Sequence, residues 1–160
     1  MTTQPKNHKP IIKESGINYV SFGPNVTVHQ PVNLYGCTIG ESTTIGPFVE
    51  IQKGAVIGKH CRIQSHAFIC DMVSLGDNVF IGHGVKFIND TFRSGGPAQG
   101  NRELWGATRV GNNVSIGSNA TILPVDICDK AVIGAGAVVT RNIERPGIYA
   151  GNPARLIRPL

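Results

Sequence analysis

The sequence predicts an all-β fold, a parallel β-helix of triangular coils interrupted by one long extruded loop. Three observations carry this. From Ile39 to Phe87 a branched or aromatic apolar residue falls on every sixth position: Ile39, Ile45, Ile51, Ile57, Ile63, Ile69, Leu75, Ile81 and Phe87. Two places before each runs a second column, mostly small or β-branched, from Cys37 and Thr43 to Val79 and Val85. Glycine follows Ile39, Ile45, Ile57, Leu75 and Ile81, and the chain holds 20 glycines with only 16% charged residues.

A period of six is neither the 3.6 of a helix nor the 2 of a plain strand. It fits a short strand followed by a turn, three times per coil, so that eighteen residues close a triangle. Residues eighteen apart then stack: Ile39, Ile57 and Leu75 in one column, Ile45, Ile63 and Ile81 in a second, Ile51, Ile69 and Phe87 in a third. Strands at about 4.8 Å spacing pair coil on coil, and the stacked columns make a continuous core. Residues tolerant of positive φ turn the corners, as at Gly76–Asn78, Gly111–Asn113 and Gly117–Asn119.

Residues 1–19 read as a tail leading in, and 20–160 as a single β-helix domain. Val26, Val28 and Leu34 begin an imperfect coil, one residue out of phase with Ile39. Residues 88–109 have no six-step pattern and carry Gly95-Gly96-Pro97 and Gly100-Asn101, so they read as the extruded loop. A loop of that length within a repeat is often functional; Trp105, the only tryptophan, is expected to pack it down. Val110, Ile116 and Ile122 resume the ladder, one residue is missing before Ile127, and Ile133 and Val139 follow. Residues 141–160 close the open end of the solenoid.

Composition narrows the classes. No run of 18 apolar residues exists, and Met1–Glu14 lacks the apolar stretch of a signal peptide, so a cytoplasmic protein with no membrane partner is expected. Net charge is +5, with Lys6, Lys9 and Lys13 near one end and Arg141, Arg145, Arg155 and Arg158 near the other. No aromatics interleave the basic clusters, which argues against nucleic acid and leaves an anion site or ordinary solubilising charge. Cys37 and Cys61 sit in the small inward column, Cys70 and Cys128 just after core positions, and no C-x-x-C occurs. Core fillers fit better than a disulfide or a metal site.

If Val110 resumes the column of Leu75, then Ile116 stacks over Ile81 and Ile133 over Ile116. Ser65, His83, Ser118 and Ala135 then form one edge of the prism. Above His83 that edge is small (Ser118, Ala135, Gly136) and leads toward the arginines of the closing segment. A thin, amide-rich ligand ending in phosphates suits such an edge, and coenzyme A has that form. His60 and His66 take a turn position; His66 also borders the edge and is a candidate substrate-binding residue. His83, at the foot of the small-residue groove, is the best-placed neutral base, with a simple corner residue as the competing reading. His29 and His8 lie outside the regular repeat. No H-x-x-x-x-H occurs, so no metal is expected.

The segments GDNVFIGHGVKFINDTF (Gly76–Phe92), RVGNNVSIGSNATILPVDICDKAVIGAGAVVT (Arg109–Thr140) and PGIYAGNPARLI (Pro146–Ile157), with the Gly/Pro loop between the first two, resemble the hexapeptide-repeat acyltransferases. Within these they are similar to the N-acetyltransferases of nucleotide-linked amino sugars, acting on dTDP-3-amino-3,6-dideoxyhexoses or UDP-diaminouronates for surface-polysaccharide (O-antigen) synthesis. The resemblance implies a left-handed coil and a homotrimer binding acetyl-CoA and nucleotide sugar between subunits. It implies that Asn89 meets the sugar's amino group with Asp90 beside it. It further implies that Ser118, Ala135 and Gly136 offer amides to the cofactor, and that Arg155 lies near its phosphates.

Six residues of extended chain separate His83 from Asn89 by roughly 15–20 Å within one subunit. A neighbouring subunit in a cyclic trimer would bring the two together. Two other readings stay open: acetyl transfer to a hydroxyl, for which His83 or His66 would be indispensable as a strong base, and a non-enzymatic scaffold.

Overall fold

A computed structural model of the chain describes residues 9–160; residues 1–8, with Lys6 and His8, lie outside the described residues. The chain winds into a left-handed parallel β-helix with three faces. The first face stacks seven strands: Ile17–Asn18, Asn33–Tyr35, Glu50–Ile51, Phe68–Ile69, Lys86–Phe87, Thr121–Ile122 and Val138–Val139. The second stacks six: Ser21–Phe22, Thr38–Ile39, Val56–Ile57, Val73–Leu75, Thr108–Val110 and Asp126–Ile127. The third runs through Thr27–Val28, Thr44–Ile45, Arg62–Ile63, Phe80–Ile81, Ser115–Ile116 and Val132–Ile133 to Gly147–Ala150 and Arg155–Pro159.

Each strand is short because one inward side chain per face suffices to fill the narrow prism. Those inward residues are the six-step column, and Leu34, Ile39, Ile45, Ile51, Ile69, Ile81 and Phe87 are completely buried. Register follows the expected columns: Leu75 pairs with Ile57 and Val110, Ile81 with Ile63 and Ile116, and Ile116 with Ile133. Thr43, the one polar member of the second column, stays buried because its hydroxyl donates to the Gly58 carbonyl and accepts from the Cys61 amide. Cys37, Cys61 and Cys70 are buried free thiols; burial pushes the Cys70 thiol up to about 12.

The corners differ in one respect that explains the sequence. The second corner (second to third face) and the third corner (third to first face) keep six-residue spacing between core residues in every complete coil. The first corner varies. It takes five residues from Ile17 to Phe22, from Leu34 to Ile39 and from Ile122 to Ile127, and six from Ile51 to Ile57 and from Ile69 to Leu75. From Phe87 to Val110 it extrudes the whole loop. This corrects the expected tail of residues 1–19. Ile17 and Asn18 already form a strand paired with Leu34 and Tyr35; two short corners put that strand out of phase with a strict six-step count.

At the other end, Gly147–Ala150 lies parallel to Val132–Ile133 and then pairs antiparallel with Arg155–Pro159, a hairpin that covers the last coil. Among the described residues no helix is long and apolar enough to cross a membrane.

Candidate active site

Turn geometry builds the third corner. After each core residue come three corner residues, the third at positive φ: Phe48, His66, Gly84, Asn119 and Gly136. The first is glycine where coils press closest. A Cβ on Gly82 would lie 2.6 Å from the Ser118 nitrogen, and one on Gly117 would lie 2.5 Å from the Ala135 nitrogen. These contacts place His83 directly below Ser118, and Ser118 below Ala135. The corner continues upward, because a Cβ on Gly134 would lie 2.9 Å from the Ala150 Cβ. Ala150 pairs with Arg155. The expected edge from His83 through Ser118 and Ala135 toward Arg155 is therefore continuous.

Its backbone donors distinguish this edge from the second corner. There, side chains cap the middle amides: Asp77 Oδ1 accepts from Lys59 N at 2.7 Å, Asn112 Oδ1 from Asp77 N at 2.8 Å, and Asp129 Oδ1 from Asn112 N at 2.7 Å. On the third corner the equivalent N–H groups of His83, Ser118 and Ala135 meet no protein acceptor among the described residues. A buried or ligand-covered N–H needs an acceptor, so these three are available to a ligand oxygen. The Gly136 N–H is not among them, since it donates to the Ser118 carbonyl at 2.9 Å; glycine's part there is the turn at φ +67° and the room it leaves.

His83 is exposed, and its Nδ1 lies 2.9 Å from Ser65 Oγ, one coil below. A cleft of about 290 Å³ adjoins the ring on that side, lined by His29, Thr44, Gly46, Pro47, Gln64 and Ser65. The His66 ring stacks on Phe48 with centroids 4.9 Å apart, and its carbonyl accepts from Lys86 Nζ at 2.7 Å. His60, at φ +54° on the second corner, is the turn residue the register implied.

Asn89 and Asp90 open the loop on the first corner, so the first face separates them from His83. Asn89 Nδ2 donates to the Asp71 carbonyl at 3.3 Å, and its Oδ1 has no protein donor among the described residues. Asp90 is occupied in shaping the loop: Oδ1 accepts from Phe92 N at 2.9 Å and Oδ2 from Ala98 N at 2.7 Å. Opposite it, half-buried Trp105 forms a β-bridge to Asp90. A 3-10 turn at Arg102–Leu104 brings Arg102 to Asp71 at 3.0 Å.

Sequence reasoning assigned no role to Ser65 or Asp71. Both are eighteen residues before a residue it singled out, His83 and Asn89 respectively, and the coil length was the available signal.

The bacterial transferase hexapeptide (six repeats) family matches residues 36–71, and the hexapeptide repeat of succinyl-transferase matches residues 107–141. The two matches flank the extruded loop. Galactoside O-acetyltransferase of Escherichia coli K12 is 35% identical over 129 residues, which cover 77% of this chain and 64% of that protein. The bifunctional protein GlmU of Streptococcus uberis is 31% identical over 150 residues, covering 92% of this chain but 30% of the relative. The chain thus spans under two thirds of the galactoside O-acetyltransferase and about a third of GlmU. Among solved structures, PerB of Caulobacter crescentus, in complex with CoA and GDP-perosamine, superimposes with a TM-score of 0.61 at 24% identity, covering 89% of this chain and 57% of that one.

Proposed function

We propose that this chain of bacterial transferase hexapeptide repeats is an acetyl-CoA-dependent N-acetyltransferase. Its acceptor is the amino group of a nucleotide-linked amino-deoxy sugar, in first place a dTDP-linked 3-amino-3,6-dideoxyhexose, with a UDP-linked sugar second. It works as a cytoplasmic homotrimer in surface-polysaccharide synthesis. The observation that carries the reading is the run of uncapped amides above His83, on the one edge that leads to Arg155. An extended donor with amide carbonyls fits those N–H groups, and the Arg155 guanidinium suits its phosphates. CoA bound to a relative of the same fold supports this, as does GDP-perosamine in that complex for the class of acceptor.

In the reaction the neutral amine attacks the thioester carbonyl carbon, the C–S bond breaks, and the thiolate leaves. Asn89 Oδ1 accepts a hydrogen bond from the amine and aims its lone pair. His83 Nε2 takes the amine's proton. The Ser118 N–H donates to the carbonyl oxygen as it gains charge. Asn89 and His83 sit on different corners, so one subunit supplies the first and its neighbour the second. Asp90 acts on the acceptor through the loop it holds in shape.

The likeness to galactoside O-acetyltransferase favours a second reading, transfer to a hydroxyl. Matched pairs of nucleotide-linked amino and hydroxy sugars, offered with acetyl-CoA and followed by release of free thiol, separate the two. Turnover with the amine alone is expected. Turnover with the hydroxyl alone reverses the assignment, and failure of acetyl-CoA to bind in a calorimeter removes both.

A further inference from the structure

We propose that Ser65 is the positioning residue of the site. Its Oγ accepts a hydrogen bond from His83 Nδ1–H, which fixes the ring and keeps Nε2 as the bare nitrogen that receives the proton. The inference rests on reading His83 as the base of the acetyl transfer proposed above.

The geometry begins with the coil. Equivalent residues of successive coils stack on the third corner, so His83 has a serine below it, Ser65, eighteen residues before, and another above it, Ser118, in the coil that follows the extruded loop. The ring bonds only the lower one, at 2.9 Å. That choice matters for what the edge can hold. A ring leaning up toward Ser118 would cover the uncapped amides of Ser118 and Ala135; leaning down, it borders the cleft of Thr44, Gly46, Pro47 and Gln64 instead. The thioester side stays open, and the ring stands at the boundary between donor and acceptor.

Protonation chemistry selects the direction of the bond. A neutral imidazole carries one N–H and either nitrogen can hold it, whereas an imidazolium carries both. Were Ser65 the donor to Nδ1, Nε2 would already hold its hydrogen and could take nothing from an amine. It would also have to reverse on every turnover. With Nδ1–H donating to Ser65 Oγ, the same bond is present before and after Nε2 gains the proton, and it strengthens as the ring becomes charged. Among the described residues Ser65 Oγ has no other side-chain partner, so the hydroxyl is free to accept. The gain falls on the proton-accepting state and therefore on kcat rather than on KM.

The test uses the full chain, acetyl-CoA and dTDP-3-amino-3,6-dideoxyglucose, with a double-mutant cycle between Ser65→Ala and His83→Asn. Ser65→Ala is expected to lower kcat about ten-fold with both KM values within about two-fold, and Ser65→Thr, which keeps the hydroxyl, to recover most of the loss. In the His83→Asn background the Ser65→Ala change is expected to cost nothing further. Nitrogen-15 spectra of the histidine ring, recorded without any acceptor, are expected to place the proton on Nδ1 in the parent protein and to move it toward Nε2 in Ser65→Ala. A Ser65→Ala enzyme with parental kcat, an equal loss in the His83→Asn background, or a resting proton on Nε2 each overturns the proposal. If His83→Asn itself turns over at the parental rate, the base assignment fails and Ser65 with it. If His83→Asn is slow while Ser65→Ala is fast, only the Ser65 assignment fails. If the amino sugar is not acetylated at all, the acceptor reading fails, and the nitrogen shifts still decide the Ser65–His83 bond.

Discussion

Asn89 illustrates how a side chain's role is set by the half of it that the fold leaves unused. Its amide nitrogen donates one N–H to the Asp71 carbonyl one coil below, and its Oδ1 meets no donor among the described residues. Such a group suits an amine, which brings N–H donors and needs its lone pair aimed away from them. Asn89→Ala is therefore expected to lower kcat/KM for the amine substrate about 10- to 100-fold, equivalent to losing one hydrogen bond to a reacting group. Asn89→Asp, which keeps an acceptor, should lose less; free-thiol release measures both, and an unimpaired Asn89→Ala enzyme would remove Asn89 from the site. Cys70 shows the same logic in the core. Its thiol is pushed up to about 12 from 9.0, chiefly because burial disfavours the thiolate. Unfolded, it would ionise near its ordinary value, so the folded state keeps the proton longer than the unfolded one. Stability is then undiminished below about pH 9 and falls as pH rises from about 9 toward 12, by at most about 1.4 kcal/mol per unit for this thiol. Denaturant melts across that range should show a steeper loss for the parent than for Cys70→Ala, whose lost packing is independent of pH; parallel curves would contradict the assignment.

At the scale of elements, the loop on the first corner is held from its inside and at one outer point. Asp90 gathers the amides of Phe92 and Ala98, and Arg102 reaches the carboxylate of Asp71. Asp90→Ala removes two acceptors at once and leaves two backbone donors to water. Limited proteolysis across residues 91–100 should accelerate, and KM for the acceptor should rise. The melting temperature should scarcely move, because apart from Ala98 these residues contribute no buried side chain. Arg102→Ala should act in the same direction and more weakly, the arginine being largely exposed. Unchanged cleavage in both variants would mean the loop is held by something else. This element also marks where legibility in the sequence ended. The ladder's interruption was visible because Phe87 is followed by no core residue at the next sixth place. The loop's internal order was not visible, since Asp90 binds an amide eight residues on, a contact that depends on the folded path. The strand Ile17–Asn18 was missed for a simpler reason. The five-residue corners between Ile17 and Phe22 and between Leu34 and Ile39 shift the phase, so a fixed period starts one coil late. By contrast, the edge from His83 to Ala135 was countable in advance, because every corner between them on the second and third edges keeps six residues.

For the molecule as a whole, the regular coil imposes a separation between the two candidate groups that the proposed assembly would remove. His83 lies on the third corner and Asn89 on the first, with the strand Lys86–Phe87 and the width of the first face between them. The faces are paired ladders that do not bend, and the loop is tied back to Asp71 rather than toward the third corner. One subunit therefore holds the two groups apart, and the proposed ring of three would join them if its heterologous contact set the first corner of each copy against the third corner of the next. This geometry has a numerical consequence. His83→Ala and Asn89→Ala chains are each expected to form nearly inactive trimers. Unfolded together in equal amounts and refolded, they assemble at random. A site is intact when the subunit giving His83 is the Asn89→Ala chain and its neighbour giving Asn89 is the His83→Ala chain. Each condition holds half the time, so about a quarter of the sites should regain activity. Sites contained within single subunits would regain none, and mixing the two proteins without unfolding should also give none unless the trimers exchange. Activity of the refolded mixture near a quarter of the parental value, measured beside each variant refolded alone, would establish the shared site; activity no higher than either variant would return both groups to one chain and require the loop to fold back across the first face.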